Sequence, residues 1–304
     1  MQCFPMSRSR RGFTMVELLV ALVLLGLVSA ALYRVLVNNQ RLYFAQTQRI
    51  DLSQNIRAAT NILPAEFREL DALDQDIIAM SSDSIYIRAM RWLSFVCVPP
   101  VLVGVNNGIT TTVRGGTVGQ PMYYGARNIS PTDSMLVYVD GDPTTRTDDY
   151  WVASTMTATV GATCPAAGAV TAAQQPATLV TFTGNFIAGT NVPGAIPMGA
   201  PVRGYEKVTY KLYQPAGDTL WYIGFRPAGQ TMQPLIGPIL PNGLTFSYFD
   251  ANGNATAVRT QVARIDITVR ARTTSAVRGG GTAAAAVVVD SVTTSVALRN
   301  NRRF

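Results

Sequence analysis

Gly12-Phe13-Thr14-Met15-Val16-Glu17-Leu18-Leu19 joins a short basic leader to a long apolar run and sets one carboxylate four residues into it. Arg8, Arg10 and Arg11 stand ahead of Gly12, and from Phe13 to Leu32 only Thr14, Glu17 and Ser29 offer a polar side chain. Twenty residues of helix, at about 1.5 Å each, just cross a bilayer core of about 30 Å. An ionisable group inside such a segment costs roughly 2.5–3.5 kcal/mol on insertion scales, so Glu17 is expected to have a partner or a function. Three arginines before the run predict that the leader stays in the cytoplasm and that the rest of the chain crosses.

A basic leader, Gly-Phe-Thr-Met-Val-Glu-Leu-Leu and an apolar helix, together spanning about residues 7–35, resemble the class III signal of type IV prepilins and type II secretion pseudopilins. The resemblance implies that a prepilin peptidase cuts between Gly12 and Phe13 and N-methylates the new Phe13 amine, leaving an N-methylphenylalanine. It also implies that Glu17 is the buried carboxylate used in filament assembly, where it pairs with the terminal amine of a neighbouring subunit. In apolar surroundings such a pair is far cheaper than two isolated ions. The implied place is the bacterial inner membrane, with a single pass, the globular part in the periplasm, and a pilus or pseudopilus after assembly. The implied partners are the peptidase, other pilin or pseudopilin subunits and the membrane. Two other readings stand beside it. Val28-Ser29-Ala30 passes for the cleavage site of an ordinary signal peptide, which would release a secreted β-rich protein. A plain anchor would account for Glu17 through the positive end of its helix, but not for Gly12-Phe13.

Losing the leader removes three of 25 basic residues and no acid, leaving 22 against 18, a net +4 in place of +7. That mild excess implies no nucleic acid as a partner, and Arg299, Arg302 and Arg303 read as a solvated basic tail. Cys3 goes with the leader. Cys97 and Cys164, facing an oxidising space, suggest one disulfide, with two buried unpaired thiols as the alternative. A loop of about 67 residues closed in this way is worth roughly 4 kcal/mol in the chain-entropy model.

The expected fold class is α+β: a long N-terminal helix, transmembrane in its first half, packed on an antiparallel sheet with long loops. The expected divisions are a leader at 1–12, the membrane segment at 13–35, a helical extension at 36–72 and a β-rich globular part at 73–304. No glycine interrupts residues 27–63, and Leu52, Ile56, Ala59 and Leu63 recur on one helical face. Phe13–Leu63 makes about 75 Å of rod. Pro64 is expected to end or kink it, with Phe67 and Leu70 continuing the face in a short second helix. Ser84–Arg88 and Met135–Val139 alternate as strands. Lys207–Leu212 with Leu220–Phe225, across Pro215-Ala216-Gly217-Asp218, reads as a hairpin. Leu244–Phe249 with Val262–Val269 reads as a second, and Ala284–Leu298 as a last strand. Pro99–Pro131 and Gly161–Arg203, rich in Gly, Pro, Ala and Thr, read as surface loops or weak extra strands. This bulk, the Pro-Ala-Glu-Phe-Arg-Glu-Leu stretch and the Ser-Ile-Tyr-Ile-Arg strand resemble J-type minor pseudopilins and W-type minor pilins. Tyr33-Arg34-Val35 stands where many major pilins carry a proline, which favours a minor role.

Histidine is absent, which removes His-based catalytic triads and His-ligated metals. No enzyme activity and no cofactor is implied. Asp140, Asp142, Asp148 and Asp149 are weak candidates for a calcium site, against a simple Asp-Gly turn. Asp250-Ala251-Asn252-Gly253-Asn254 starts like a calcium loop but lacks its closing Glu and reads as a hairpin turn. Tyr205, Tyr210, Tyr213, Trp221, Tyr222 and Phe225 form either a ligand-facing surface or, as the safer reading, core. The expected role is a structural minor pilin or pseudopilin in initiation or at the tip. The alternative is a ligand- or DNA-binding tip adhesin.

Overall fold

The computed structural model describes residues 12–103, 108–131, 133–140, 144–145, 149–166, 171–184, 196–278 and 284–299. One helix, α1 (Met15–Arg68), leads the chain. Strands follow as β1 (Ile77–Met80), β2 (Ser84–Val103), β3 (Gly108–Arg114), β4 (Tyr124–Gly125), β5 (Ser134–Val139), β6 (Tyr150–Thr163) and β7 (Pro176–Gly184). The rest are β8 (Pro201–Tyr213), β9 (Trp221–Pro227), β10 (Gln233–Phe249), β11 (Arg264–Arg272), β12 (Val277–Arg278), β13 (Ala285–Ala286) and β14 (Val289–Ala297). This is the α+β class: a long N-terminal helix packed on a large antiparallel sheet.

The chain divides into two compact units, Met1–Ser53 with Thr273–Val288, and Gln54–Arg272 with Val289–Phe304. In the first, β12 and β13 pair through Val277↔Ala286, and the Ser275 N–H donates to Gln48 on α1. The second holds the end of α1 and the main sheet. There, Leu63 and Phe67 are fully buried, and Phe67 meets the rings of Tyr210 on β8 and Phe246 on β10 edge-on, both at 5.8 Å.

The helix does not end at Pro64, contrary to that part of the expectation above; α1 runs through it, and no second helix opens there. Proline forfeits one backbone hydrogen bond and crowds the preceding turn, at about 3 kcal/mol. Burying Leu63 and Phe67 returns about 1.5–3 kcal/mol each, so packing on the sheet overrides the local penalty.

Both expected hairpins are present. Lys211 faces Gly224 across β8 and β9, and the Asp218 N–H closes their turn onto the Pro215 carbonyl, with Gly217 at φ 81 as its position requires. β10 and β11 run Leu244↔Val269 to Phe249↔Arg264. β14 covers most of the expected last strand and joins β11 over nine successive pairs without a shift.

The two segments read as loops or weak strands contribute more than that. β2 is twenty residues long: its first part pairs with β8, its second with β3. From β3 the pairing passes through β7, β6 and β5 and returns to β8 at Ser134↔Tyr205. β2, β3, β7, β6, β5 and β8 therefore close a six-strand ring, inserted into the helix-bearing sheet between the two strands that both share. Its interior is packed by Trp92, Val96, Ile109, Val113, Met135, Val137, Val152, Met156, Val180 and Phe182. Trp92 anchors the junction. Its indole N–H donates to buried Asp133 at 2.9 Å, and its ring lies so close to β8 that a Cβ on Gly204 would sit 1.9 Å from it. Tyr123 stacks on Trp92 at 6.3 Å; burial and the Asp133 charge push its hydroxyl up to about 12.

Candidate functional site

The front of α1 is built as a helix cap. Thr14 precedes the first helical residue; its hydroxyl accepts the Glu17 N–H at 3.2 Å, while the Glu17 carboxylate accepts the Thr14 N–H at 3.3 Å. This reciprocal Thr-x-x-Glu arrangement is a capping box, which satisfies two amides that the helix leaves open. The sequence reading weighed Glu17 against the helix's positive end but missed Thr14; the spacing Thr14–Glu17 ahead of an apolar run was the signal for it. Phe13 is 85 % exposed, and Gly12 has open space around it.

Behind the cap, α1 is long and apolar enough to cross a membrane, and none of that stretch is buried among the described residues. Leu18, Leu22, Leu24, Leu25 and Leu27 are all more than half exposed. A contiguous apolar surface of this extent marks a lipid or protein environment.

At its other end the helix is held by charge. Arg91 on β2 reaches Glu66 on α1 at 2.8 Å and Glu206 on β8 at 3.0 Å. The paired carboxylates outweigh burial and hold its guanidinium above the usual range. Arg203 pairs with buried Asp76 at 3.3 Å and donates to the Glu69 carbonyl. Burial raises the Asp76 carboxyl in spite of Arg203. These partners lie up to 134 residues apart, and no local pattern announces them.

Cys97 and Cys164 are joined, with S–S 2.07 Å and Cα–Cα 5.7 Å. The bridge and Ala177 form a small buried cluster beside the six-strand ring. Among the candidate carboxylates, Asp140 and Asp149 flank the connection from β5 to β6, where Val139 faces Tyr150. Asp142 and Asp148 lie outside the described residues. Among the described residues no three His, Cys, Asp or Glu side chains come together as metal ligands. Asp250 spends its oxygens on its own turn, accepting the N–H groups of Asn252 and Asn254, and these bonds lower its carboxyl below the usual range. The aromatic set divides: Tyr205 and Tyr210 are buried, while Tyr213, Trp221, Tyr222 and Phe225 are half-buried.

Residues 7–33 match the family model described as the prokaryotic N-terminal methylation motif. The matched segment contains Gly12, Phe13 and the capping box. It supports a pilin- or pseudopilin-type protein, and with the uncovered apolar helix it is consistent with a membrane-anchored one. No curated protein and no solved structure matches the chain.

Proposed function

We propose that the chain is a minor pilin or pseudopilin, made as a precursor and assembled into a type IV pilus or type II secretion pseudopilus. The observation that carries this reading is the methylation motif over residues 7–33 placed directly on an uncovered, membrane-length helix. Residues 1–12 are the leader, 13–35 the membrane segment, 36–72 the extension and 73–304 the periplasmic part. A prepilin peptidase cleaves between Gly12 and Phe13 and methylates the Phe13 amine.

Glu17 then has two duties. In the free subunit it caps its own helix through Thr14. In the filament its carboxylate takes up the Phe13 amine of a neighbour, which also arrives at a helix N-terminus. The exchange costs little, because one charge-assisted hydrogen bond replaces another. The ring inserted between β2 and β8 adds bulk that a shaft subunit would have to accommodate at every repeat, and this favours initiation or tip placement. The tip-adhesin alternative draws on the same insert, but residues 96–200 carry three arginines against five aspartates, a poor match for DNA.

Intact mass and N-terminal sequencing of the protein from its own membrane test the reading. The expected product starts at N-methylated Phe13. A chain starting near Ala31, or one retaining its first twelve residues, overturns it. Glu17→Ala is expected to leave membrane insertion intact and to reduce incorporation into filaments, scored on sheared fractions.

A further inference from the structure

Along β8 the neighbouring strand changes. Ser134 of β5 stands opposite Tyr205, while β9 joins at Val208, so β5 and β9 part beside Glu206 and Lys207. A cavity of about 360 Å³ opens at this parting, lined by Arg127, Asp133, Ser134, Tyr205, Lys207 and Ala228. Its size falls within the range of small-molecule sites.

The acids at this cavity are already engaged. The Asp133 side chain is 3 % exposed; it accepts the Trp92 indole N–H and the Ser130 N–H, and the Arg127 guanidinium pairs with it at 2.7 Å. Glu206 borders the cavity too. Side chains alternate along a strand, and its carboxylate is taken by Arg91 at 3.0 Å, away from Tyr205 and Lys207.

The donors are not engaged in the same way. Lys207 has no ion pair among the described residues, and it lies directly opposite Arg88 on β2. Like charges placed across from each other in a sheet are destabilising. Arg88 holds the Asp74 carbonyl and lies over the Tyr205 ring at 5.4 Å, with its buried Nε unpartnered among the described residues. The Tyr205 and Ser134 hydroxyls and the Arg127 Nε–H are likewise without partners among the described residues.

The geometry points to this cavity as a binding site for a phosphorylated small molecule, its phosphate held by Lys207, Arg127 and the Tyr205 and Ser134 hydroxyls. These donors come from three segments of the chain, which suits a tetrahedral group with oxygens on several sides better than a planar carboxylate. Charge-assisted hydrogen bonds from Lys and Arg supply most of the attraction. A bare phosphate would leave most of the space unfilled. Ala228 is the one aliphatic side chain in the described lining, so the rest of the ligand is polar and sugar-sized, not an acyl chain. The inference does not rest on leader cleavage or assembly, so it stands or falls apart from the functional proposal.

The test is isothermal titration calorimetry on the full chain in detergent and phosphate-free buffer, with glucose 6-phosphate, glucose and glucuronate as probes. Glucose 6-phosphate is expected to bind saturably, glucose not at all, and glucuronate at least about fivefold more weakly. Lys207→Gln, at an exposed position, is expected to weaken binding of the phosphate about tenfold or more. Tyr205→Phe keeps the ring, removes the hydroxyl and is expected to cost about fivefold. Lys211→Gln, farther along the same strand and outside the cavity, leaves the affinity unchanged. Absence of saturable binding, glucose or glucuronate bound as tightly, unchanged affinity in either cavity variant, or an equal loss with Lys211→Gln overturns the proposal.

Discussion

Leu63 and Phe67 are fully buried, whereas Leu18, Leu24 and Leu25 are more than half exposed, although all five sit on one uninterrupted helix. The residue types are the same, and only the neighbours differ. The last turns of α1 meet the aromatic face of β8 and β10 and belong to the fold. The first turns are left exposed among the described residues and belong to whatever surrounds the subunit. Hydrophobicity at the front is therefore a statement about environment, and at the back about stability.

The largest way to break this comparison is to truncate both ends. Phe67→Ala is expected to cost about 3–5 kcal/mol, since it removes two edge-to-face contacts and leaves a cavity under the sheet. Leu24→Ala is expected to leave the unfolding transition of the sheet unmoved. Thermal melts of both variants in the same detergent provide the check, and equal losses would erase the distinction.

A second probe acts on charge at the back. Asp76→Ala strands the buried Arg203 guanidinium, and breaking such a pair costs about 3–5 kcal/mol. Its pH dependence has a definite sign. Burial raises the Asp76 carboxyl above its ordinary value of 3.8, so the folded chain holds that proton more tightly than the unfolded one. The group's cost is absent below 3.8 and fully present above the raised value. Stability contributed at this site therefore falls as pH rises through that window. Asp76→Asn, which does not titrate, is expected to flatten this slope in denaturant titrations run across it.

How much of this could be read from residues alone follows from the range of each interaction. The helical face Leu52, Ile56, Ala59 and Leu63, with Ile56 half-buried and the others buried, and the turns at Pro215–Asp218 and Asp250–Asn254 are local patterns, and the structure keeps them. The helix end expected at Pro64 was a local rule overridden by burial of its neighbours. The six-strand ring was invisible because it closes through pairs such as Ser134↔Tyr205 and Gly108↔Thr183, which no stretch of sequence specifies by itself. Glycine- and threonine-rich composition left loops and weak extra strands open, and Thr110, Thr111 and Thr112 lie within β3, a strand that pairs on both sides. At the front, Glu17 stands out as a lone acid in an apolar run, while the role of Thr14 depends on the helix starting at Met15, a boundary that the apolar run by itself does not set.

The ring and the helix-bearing sheet offer a third contrast, since the ring alone carries a covalent tie. Replacing Cys97 and Cys164 together by serine is expected to cost about 2–4 kcal/mol. The loss is expected to appear first as faster amide exchange in β3, β6 and β7, with β10, β11 and β14 still protected. Uniform loss across both would show that ring and sheet unfold as one.

The smallest effect is expected at the cap. Thr14→Ala removes the hydroxyl that accepts the Glu17 N–H and is worth about 1 kcal/mol of helix, confined to the first turn. Sheet stability is not expected to change. What changes is the freedom of Glu17, whose carboxylate keeps, among the described residues, the residue-14 amide as its anchor. Amide exchange at Met15–Glu17 in micelles is expected to accelerate about fivefold in the variant, in line with that energy. Thr14→Ser, which keeps the hydroxyl, is expected to restore the wild-type rate. If alanine and serine exchange alike, the hydroxyl is not holding the first turn, and Glu17 caps the helix alone.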